Sequence, residues 1–309
     1  MVERVVSIKH QETFLSFFGP LSPPLLLGVW AGVMVLGFGL LYWTAGSTFK
    51  VPEGTPTFLT YLYLSGTTFF TLGLGDITPN STLTRCLTVV EAGLGFGFLA
   101  LVLSHLPALN QSFARREVLI SLLDARAGSP PTAVELLQRH SDEYGMNALR
   151  QLLHEWEHWS AELLESHLSY PVLAYFRSQH DNQSWLAALT TILDSCALII
   201  VGLEGTCERQ AELTFAMTRH AVVDLVMVFG RQPQKPDHDR LPEDELARVR
   251  AALAEASLRL REGPDADKRL TELRQMYEHH VYALSKLLRM RLPSWIQKSR
   301  RAENWQTSS

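Results

Sequence analysis

The chain has 309 residues, of which 46% are hydrophobic and 19% are charged, and its formal net charge is −4. This length allows one large domain or two ordinary ones, and the mild acidity gives no reason to expect a nucleic-acid partner. The three cysteines (Cys86, Cys196, Cys207) lie far apart with no CxxC pair. They therefore indicate neither a disulfide framework nor a thiolate metal site.

The first apolar segment is long enough to cross a membrane. No charged residue occurs from Thr13 to Phe49, and the run PLLLGVWAGVMVLGFGLLYWTA predicts a transmembrane helix over about 24–45. Tyr42 and Trp43 end this run, and aromatic residues are enriched at the membrane interface. The run is too long for the apolar region of a signal peptide. We therefore expect a short cytoplasmic segment over 1–22, followed by a spanning helix.

A second apolar run, LTRCLTVVEAGLGFGFLALVLSHL, predicts another span over about 83–106. Basic residues follow it closely (Arg115, Arg116) and others precede the first span (Arg4, Lys9). Because basic residues favour the cytoplasmic side, both termini are expected in the cytoplasm. The sequence thus predicts a multi-pass protein of the plasma membrane, with the lipid bilayer as its surroundings.

The segment between the two spans is too short to cross the membrane and return as two helices. Its apolar part, TFLTYLYLSGTTFF, predicts a half-length helix over about 57–70, and TLGLGD follows over 71–76. Non-helical backbone at membrane depth survives only where it is buried in protein or lines water. Glycines allow conformations in which successive carbonyls point the same way. We therefore expect this stretch to line a pore.

The order of span, short helix, TLGLGD and span resembles the pore module of two-transmembrane potassium channels. The resemblance covers roughly residues 20–110, within a pore module predicted over 23–110. In that family each of four subunits contributes a TVGYG loop, whose carbonyl oxygens replace the hydration shell of the ion. The resemblance implies a homotetramer that conducts potassium, with no cofactor and no enzymatic activity. The selectivity-filter residues that it implies are Thr71, Leu72, Gly73, Leu74, Gly75 and Asp76.

Two filter positions depart from the family pattern. Leu72 replaces valine, which is a mild change, but Leu74 stands where the family has tyrosine or phenylalanine. Leucine has no hydrogen-bonding atom in its side chain, so it can only pack, against Phe69 and Phe70 or the next subunit. A weakly selective cation channel is therefore one alternative. A non-conducting, membrane-anchored sensor or hydrolase is the alternative of a different class.

Glu91 is a carboxylate inside the second span, and such groups are costly enough to indicate a functional partner. It is expected level with the short helix, where it would hydrogen-bond behind the filter to Thr67, Thr68 or Ser65. We favour this filter-supporting role for Thr67, Thr68 and Glu91 over an ion site on the pore wall.

Three glycines, Gly93, Gly95 and Gly97, punctuate the second span. In the family that the module resembles, a glycine near the middle of the inner helix acts as a gating hinge. Close packing through small residues is equally compatible with the pattern. The sequence leaves both interpretations open.

The remaining residues, 111–309, predict a helical cytoplasmic region that assembles and gates the pore, with a disordered tail. Caps, prolines and periodicity place its helices from Ser129, over about 146–169, from Asp181 or Asn182 to about 201, and over about 204–229, 243–262 and 266–291. The apolar stretches 185–203 and 213–229 are best interpreted as core helices of a soluble bundle; a membrane hairpin is the alternative.

The sequence HEWEH matches the zinc-binding pattern H-E-x-x-H, with His154 and His158 as ligands. An apolar stripe on the same helix points away from both histidines; it comprises Leu149, Leu152, Leu153, Trp156, Trp159, Leu163 and Leu164. We interpret the two histidines as part of a solvated face, with a metal site between subunits as the alternative. His167 falls within the stripe, which predicts a hydrogen-bonded core histidine.

One cluster near a helix junction, Tyr170, Tyr175, Arg177 and His180, is compatible with a small anionic cytoplasmic ligand. Pairing of Arg177 with Asp181 or Glu165 is the simpler interpretation. No ligand can be named from the sequence.

Overall fold

A computed structural model describes residues 2–45, 48–51, 55–178, 183–203 and 207–297; the side chains of residues 2–18, Pro20 and Glu143 are outside this description. The chain forms two compact units. The membrane unit is Phe17–Gln111, and the bundle unit combines the first sixteen residues with the chain from Ser112 onward.

The described part of the membrane unit contains three helices: α1, Val2–Thr44; α2, Phe58–Phe69; and α3, Thr82–Ala127. α1 and α3 extend beyond the unit. Two short strands, β1 (Phe49–Lys50) and β2 (Thr78–Pro79), pair antiparallel and tie together the segments on either side of α2. Both α3 and the stretch Leu21–Thr44 of α1 have the length and hydropathy to cross a membrane. The prediction of an all-α membrane protein is confirmed.

α1 is longer than the sequence predicts. A helix was expected from about residue 24, but it is continuous from Val2. Pro23 has no N–H to donate to the carbonyl of Gly19, which would normally stop a helix. The hydroxyl of Ser22 donates to that carbonyl instead, at 2.9 Å. The carbonyl of Gly19 is therefore satisfied although Pro23 cannot donate to it.

α3 also continues past its predicted end at about residue 106 and contains Pro107. An internal proline costs roughly 3 kcal/mol. The residues that follow it compensate by packing, because Ile120, Leu123 and Ala127 are buried in the core of the bundle unit. Tertiary burial rather than local propensity therefore sets the end of this helix.

The outer faces of α1 and α3 are apolar and uncovered. Val33, Val89 and Phe96 each expose more than three-fifths of their surface within the chain. A soluble monomer rarely exposes such large continuous apolar faces. Lipid or further copies of the chain are the surroundings that these faces fit.

An aromatic cluster holds together one end of the membrane unit. The rings of Tyr42 and Phe49 meet edge to face with centroids 5.2 Å apart, and Phe49 meets Tyr61 at 5.7 Å. Leu64 and Ile77 complete this buried cluster. It joins α1, β1, α2 and the segment before β2, so it sets where α2 begins and where the TLGLGD segment ends.

Among the described residues, the bundle unit contains seven further α-helices: α4, Ala133–Gln138; α5, Glu143–Ser169; α6, Trp185–Gly202; α7, Glu208–Val228; α8, Glu243–Glu255; α9, Pro264–Gln275; and α10, Glu278–Leu288. A short 3-10 helix, Pro171–Tyr175, follows α5. α5 packs along α7, and α6 packs against α4, α7 and α9.

Several predicted boundaries in this unit are wrong. Thr132, not Ser129, caps α4, because its side chain accepts the N–H of Glu135. The single helix expected over 243–262 ends at Glu255, and Ser257 follows it with a left-handed φ of 62°. The one expected over 266–291 is two helices, broken between Gln275 and Glu278.

Other predicted boundaries fall outside the described residues. Asp181 and Asn182 are among them, and the cap of α6 is Ser184, whose side chain accepts the N–H of Ala187. Glu204, the predicted start of the next helix, is also outside, and α7 is described from Glu208. The polar tail after Gln297 lies outside the described residues as well.

α6 has the length and hydropathy of a third membrane span, but nearly all of its side chains are buried within the bundle unit. Its one acidic residue, Asp194, accepts hydrogen bonds from Arg240 Nη2 and the Tyr277 hydroxyl, both at 2.5 Å. Burial within protein, with the charge paired, accounts for the composition of this helix. The structure thus favours a bundle-core helix over a membrane hairpin.

His167 is a hydrogen-bonded core histidine, as predicted. It is fully buried, and its Nδ1 lies 2.7 Å from the carbonyl of Leu163. Since Nδ1 donates to that carbonyl, Nε2 is the acceptor, and it faces Arg116 Nη1 at 3.5 Å. Burial, with the nearby guanidinium second, lowers the pKa of His167 to about 3, so the ring is neutral at physiological pH.

Candidate ion-conducting site

The backbone of the TLGLGD segment alternates in handedness. Thr71, Gly73 and Gly75 have φ values of 57°, 53° and 78°, whereas Leu72 and Leu74 between them have negative φ. Alternation of this kind turns successive N–H groups to one side of the chain and their carbonyls to the other. Positive φ is uncommon for a β-branched residue such as Thr71 and costs of order 1–3 kcal/mol.

The end of α2 anchors the first half of this segment. The carbonyl of Thr67 accepts the N–H of Leu72 at 2.7 Å and that of Gly73 at 3.3 Å. The carbonyl of Thr68 accepts the N–H of Thr71 at 3.0 Å. These donors therefore point back towards α2, which leaves the carbonyls of the segment for the opposite side.

The hydroxyl groups of the two threonines do not make these contacts. Thr67 Oγ1 donates within its own helix, to the carbonyl of Leu64 at 3.0 Å. Thr67 and Thr68 are both buried. Their observed link to the segment runs through main-chain carbonyls, which sequence reasoning about side chains does not reveal.

The described residues of one chain leave the segment exposed. All six residues, Thr71–Asp76, are exposed, and Leu74 exposes 63% of its surface. Phe69, one of the neighbours expected for Leu74, is instead enclosed by Phe70 and Phe98, with ring centroids 5.3 Å and 5.6 Å away. Uncovered backbone at membrane depth requires water or other protein beside it.

Asp76 ends the segment and is held locally. Its Oδ1 accepts the N–H of Ile77 at 3.1 Å, and the hydroxyl of Tyr63 on α2 hydrogen-bonds to the same carboxylate. Asp76 remains exposed. Tyr63 was not singled out from the sequence, because nothing in the order of residues indicates that its ring reaches Asp76.

Glu91, on α3, is fully buried. Its Oε1 accepts from the Ser65 hydroxyl, and its Oε2 accepts from the Tyr42 hydroxyl at 2.5 Å. Ser65 also lies 2.8 Å from the carbonyl of Val35. The carboxyl group thus ties α1, α2 and α3 together. Of the three partners expected, the structure places Ser65 here; Tyr42 was missed because it lies 49 residues away.

Gly95 is a site of close helix contact. A Cβ built on Gly95 would lie 1.9 Å from the carbonyl oxygen of Phe69, the last residue of α2. At Gly93 and Gly97 the same construction meets nothing within 4 Å in the chain. Of the two interpretations left open, packing describes Gly95, and its partner is the helix end that anchors the TLGLGD segment.

The HEWEH histidines do not form a metal centre in the described part of one chain. His154 and His158 are exposed on α5, with ring centroids 4.5 Å apart, and His158 Nδ1 lies 3.0 Å from the carbonyl of His154. No group of three or more His, Cys, Asp or Glu side chains among the described residues is placed to hold a metal ion. The apolar stripe behind them is buried, as the periodicity predicts.

The expected anion cluster is only partly described. Arg177 donates to the carbonyls of Leu288 and Arg289 at 3.2 Å and 3.0 Å, so its guanidinium joins two segments of the bundle unit. His180 and Asp181 lie outside the described residues.

A half-length helix followed by an extended loop of alternating handedness, set between two apolar helices of membrane length, defines a pore-loop membrane protein. Residues 30–110 match a family model described as "Ion channel". Over this segment the chain is similar to that ion-channel family. The match ends at the boundary of the membrane unit and does not extend into the bundle unit.

Three curated relatives are similar to parts of the chain. Two-pore potassium channels 3 and 2 of Arabidopsis thaliana are 37% and 36% identical over 73 residues, which is 23% of this chain and 16% of each relative. The uncharacterized membrane protein YdjJ of Bacillus subtilis is 25% identical over 206 residues, 65% of this chain and 58% of that protein. The chain therefore matches less than two thirds of the length of each. No solved structure matches it.

Proposed function

We propose that four copies of this chain form a potassium-selective cation channel in the plasma membrane, with both termini in the cytoplasm. The observation that carries the proposal is the backbone of Thr71–Gly75, whose φ values alternate in sign. Its first N–H groups are bonded to α2, so its carbonyls are free to meet an ion. Rings of such carbonyls replace the hydration shell of potassium.

A single chain supplies only part of the proposed ion-binding site, so several copies are needed to complete it. One copy supplies one row of carbonyls and leaves the residues of the segment exposed. The family that the module resembles closes its filter with four such rows around one axis. A homotetramer would cover the segment and supply the remaining ligands.

Each filter residue has a distinct role in this proposal. Thr71 to Gly75 supply carbonyl oxygens, and Thr71 adds its hydroxyl. Asp76, exposed and held by Tyr63, forms an acidic ring that raises the cation concentration at the outer mouth. The names of the two plant relatives, which describe potassium channels, support potassium as the ion.

The bundle unit is proposed to gate the pore. α3 is one helix from Thr82 to Ala127, so its inner end is part of the bundle unit. There Arg116 is buried and donates to the carbonyls of Leu173 and Phe176 at 2.9 Å and 2.6 Å. Trp159 Nε1 donates to the carbonyl of Arg116 at 3.1 Å. A movement of the bundle would therefore be passed directly to α3.

Leu74 favours a second candidate, a cation channel with weak selectivity. Its side chain has no hydrogen-bonding atom and makes little contact within one chain. Packing contacts are less directional than hydrogen bonds, so they fix the geometry of the filter less strictly at this position. The two candidates differ only in the permeability ratio between potassium and sodium.

Substitution of Gly75 tests the filter assignment. Gly75 has a φ of 78°, which alanine adopts only with strain, so Gly75→Ala should abolish selective flux in liposomes while the protein still assembles. Gly93→Ala is the matched control, because its φ is helical and its surroundings in the chain are open. Unchanged selectivity in Gly75→Ala would contradict the assignment.

A further inference from the structure

A groove of about 670 Å³ lies in the bundle unit, and none of its lining residues is assigned to conduction. One wall is the end of α6, where Leu203 forms an antiparallel bridge with Leu260. The N–H of Arg261 donates to the carbonyl of Gly202 at 3.0 Å, which fixes the loop after α8 against α6. Small-molecule sites in proteins have about this volume, roughly 300–1,000 Å³.

Three arginines line the groove: Arg250, Arg259 and Arg261. Arg250 is paired with Asp267, and its Nε is buried with no acceptor among the described residues. Arg259 and Arg261 are exposed and form no ion pair within the described part of the chain. Guanidinium groups converging on one groove are a recurrent means of binding phosphate, because their N–H pairs match two phosphate oxygens.

The side chain of Arg261 is positioned by the chain beneath it. A Cβ built on Gly202 would lie 3.1 Å from Arg261 Nε and 3.2 Å from its Cβ, so the arginine packs directly over this glycine. Gly202 also has a φ of 127°, which other residues rarely adopt. Glycine at position 202 therefore permits the turn at the end of α6 and leaves room for Arg261 to lie along the wall of the groove.

Two carboxylates, Glu208 and Glu262, line the same groove. A bare anion would be attracted by the arginines and repelled by these residues. A molecule that carries phosphate at one end and hydroxyl or amino donors at the other would satisfy both sets. We propose that the groove binds a phosphorylated small molecule of nucleotide size, with its phosphates on the arginines and its hydroxyl groups on the carboxylates.

Isothermal titration of the purified full-length protein in detergent tests this proposal, with ADP, inorganic pyrophosphate and adenosine as probes. We expect ADP to bind more tightly than pyrophosphate, and adenosine to bind most weakly. The double variant Arg259→Ala/Arg261→Ala should raise the dissociation constant for ADP by at least about tenfold. Arg269→Ala is the matched control, because this exposed arginine pairs with Glu272 on α9 and does not line the groove.

Three results would overturn the proposal: no binding of ADP or pyrophosphate tighter than about 1 mM, equal binding of adenosine and ADP, or equal loss in the control variant. Thermal unfolding of each variant without ligand shows whether the fold is retained. If the double variant unfolds early, Arg259→Gln/Arg261→Gln replaces it, since glutamine removes the charge while keeping more of the side chain. Binding does not depend on conduction, so its failure would leave the proposed channel activity standing.

Discussion

Gly95→Ala tests whether close packing of α3 against α2 positions the filter. The added Cβ would lie 1.9 Å from the carbonyl oxygen of Phe69 and 2.7 Å from its carbonyl carbon. Carbon and oxygen normally approach to about 3.3 Å, so one backbone must move by roughly 1.4 Å. Phe69 ends α2, and the carbonyls of Thr67 and Thr68 that anchor the filter lie in the same turn.

The expected cost follows from overpacking. Inserting a methyl group into a close-packed contact typically costs about 1–3 kcal/mol, and more where backbone must move, while replacing glycine in a helix returns only about 1 kcal/mol. The net loss in the free energy of unfolding applies to each subunit. We therefore expect Gly95→Ala to lower the thermal unfolding midpoint and to reduce potassium selectivity together.

Gly93→Ala and Gly97→Ala are the controls for this experiment. Neither added Cβ meets an atom within 4 Å in the chain, so each should gain helix propensity without disturbing α2. Unfolding is followed by tryptophan fluorescence and selectivity by flux in liposomes. If Gly95→Ala matches the controls in both, or alters only the open probability, packing at Gly95 does not position the filter.

Three further predictions concern the support of the filter and the bundle unit. Glu91→Gln can still accept from Tyr42 and donate towards Ser65, so it should retain flux and stability. Glu91→Ala removes the acceptor of the buried Tyr42 hydroxyl, at about 1–3 kcal/mol, while Ser65 keeps its bond to the carbonyl of Val35; equal damage from both variants would show that a charge is required. Leu74→Phe should slow the loss of current in low potassium and raise the potassium-to-sodium permeability ratio; no change in either would make leucine a neutral replacement. The neutral, buried His167 has a pKa of about 3, below the 6.5 of the unfolded chain, so the unfolded state takes up its proton first as the pH falls. The free energy of unfolding in urea should therefore fall by about 1.4 kcal/mol per pH unit below 6.5. His167→Gln should remove this contribution to the pH dependence of stability, and an unaltered pH dependence would refute the role of His167.

The sequence predicts the membrane unit well where a single segment carries the signal. α2 occupies Phe58–Phe69 against a predicted 57–70, because its apolar run has clear limits. The freedom that the sequence analysis assigned to the glycines of the TLGLGD segment is used, because Gly73 and Gly75 have positive φ. Positive φ at Thr71 could not be foreseen, because the anchoring of the segment to α2, rather than side-chain preference, imposes it.

Contacts between segments that are far apart along the chain could not be predicted from the sequence. Tyr42 was interpreted as an interfacial aromatic residue, and its hydrogen bond to Glu91 appears only when α1 and α3 are packed together. Gly95 could not be told from Gly93 or Gly97, since only the close approach of Phe69 distinguishes it.

Two helices continue through prolines, Pro23 and Pro107, beyond the predicted limits of the spans. At Pro23 the hydroxyl of Ser22 replaces the missing backbone donor. After Pro107 the burial of Ile120 and Leu123 holds the helix to Ala127. Local helix-breaking tendencies of a few kcal/mol are outweighed by such contacts, and periodicity alone does not show where these contacts occur.

The most direct test of the proposed function is the reversal potential of single-channel currents from the purified protein in planar bilayers with mixed potassium and sodium. The account predicts currents whose reversal potential follows the potassium gradient, with a shift of about 59 mV for each tenfold change in the ratio of potassium concentrations. A reversal potential that does not respond when sodium replaces potassium would contradict potassium selectivity. The absence of current under every condition would contradict the channel itself.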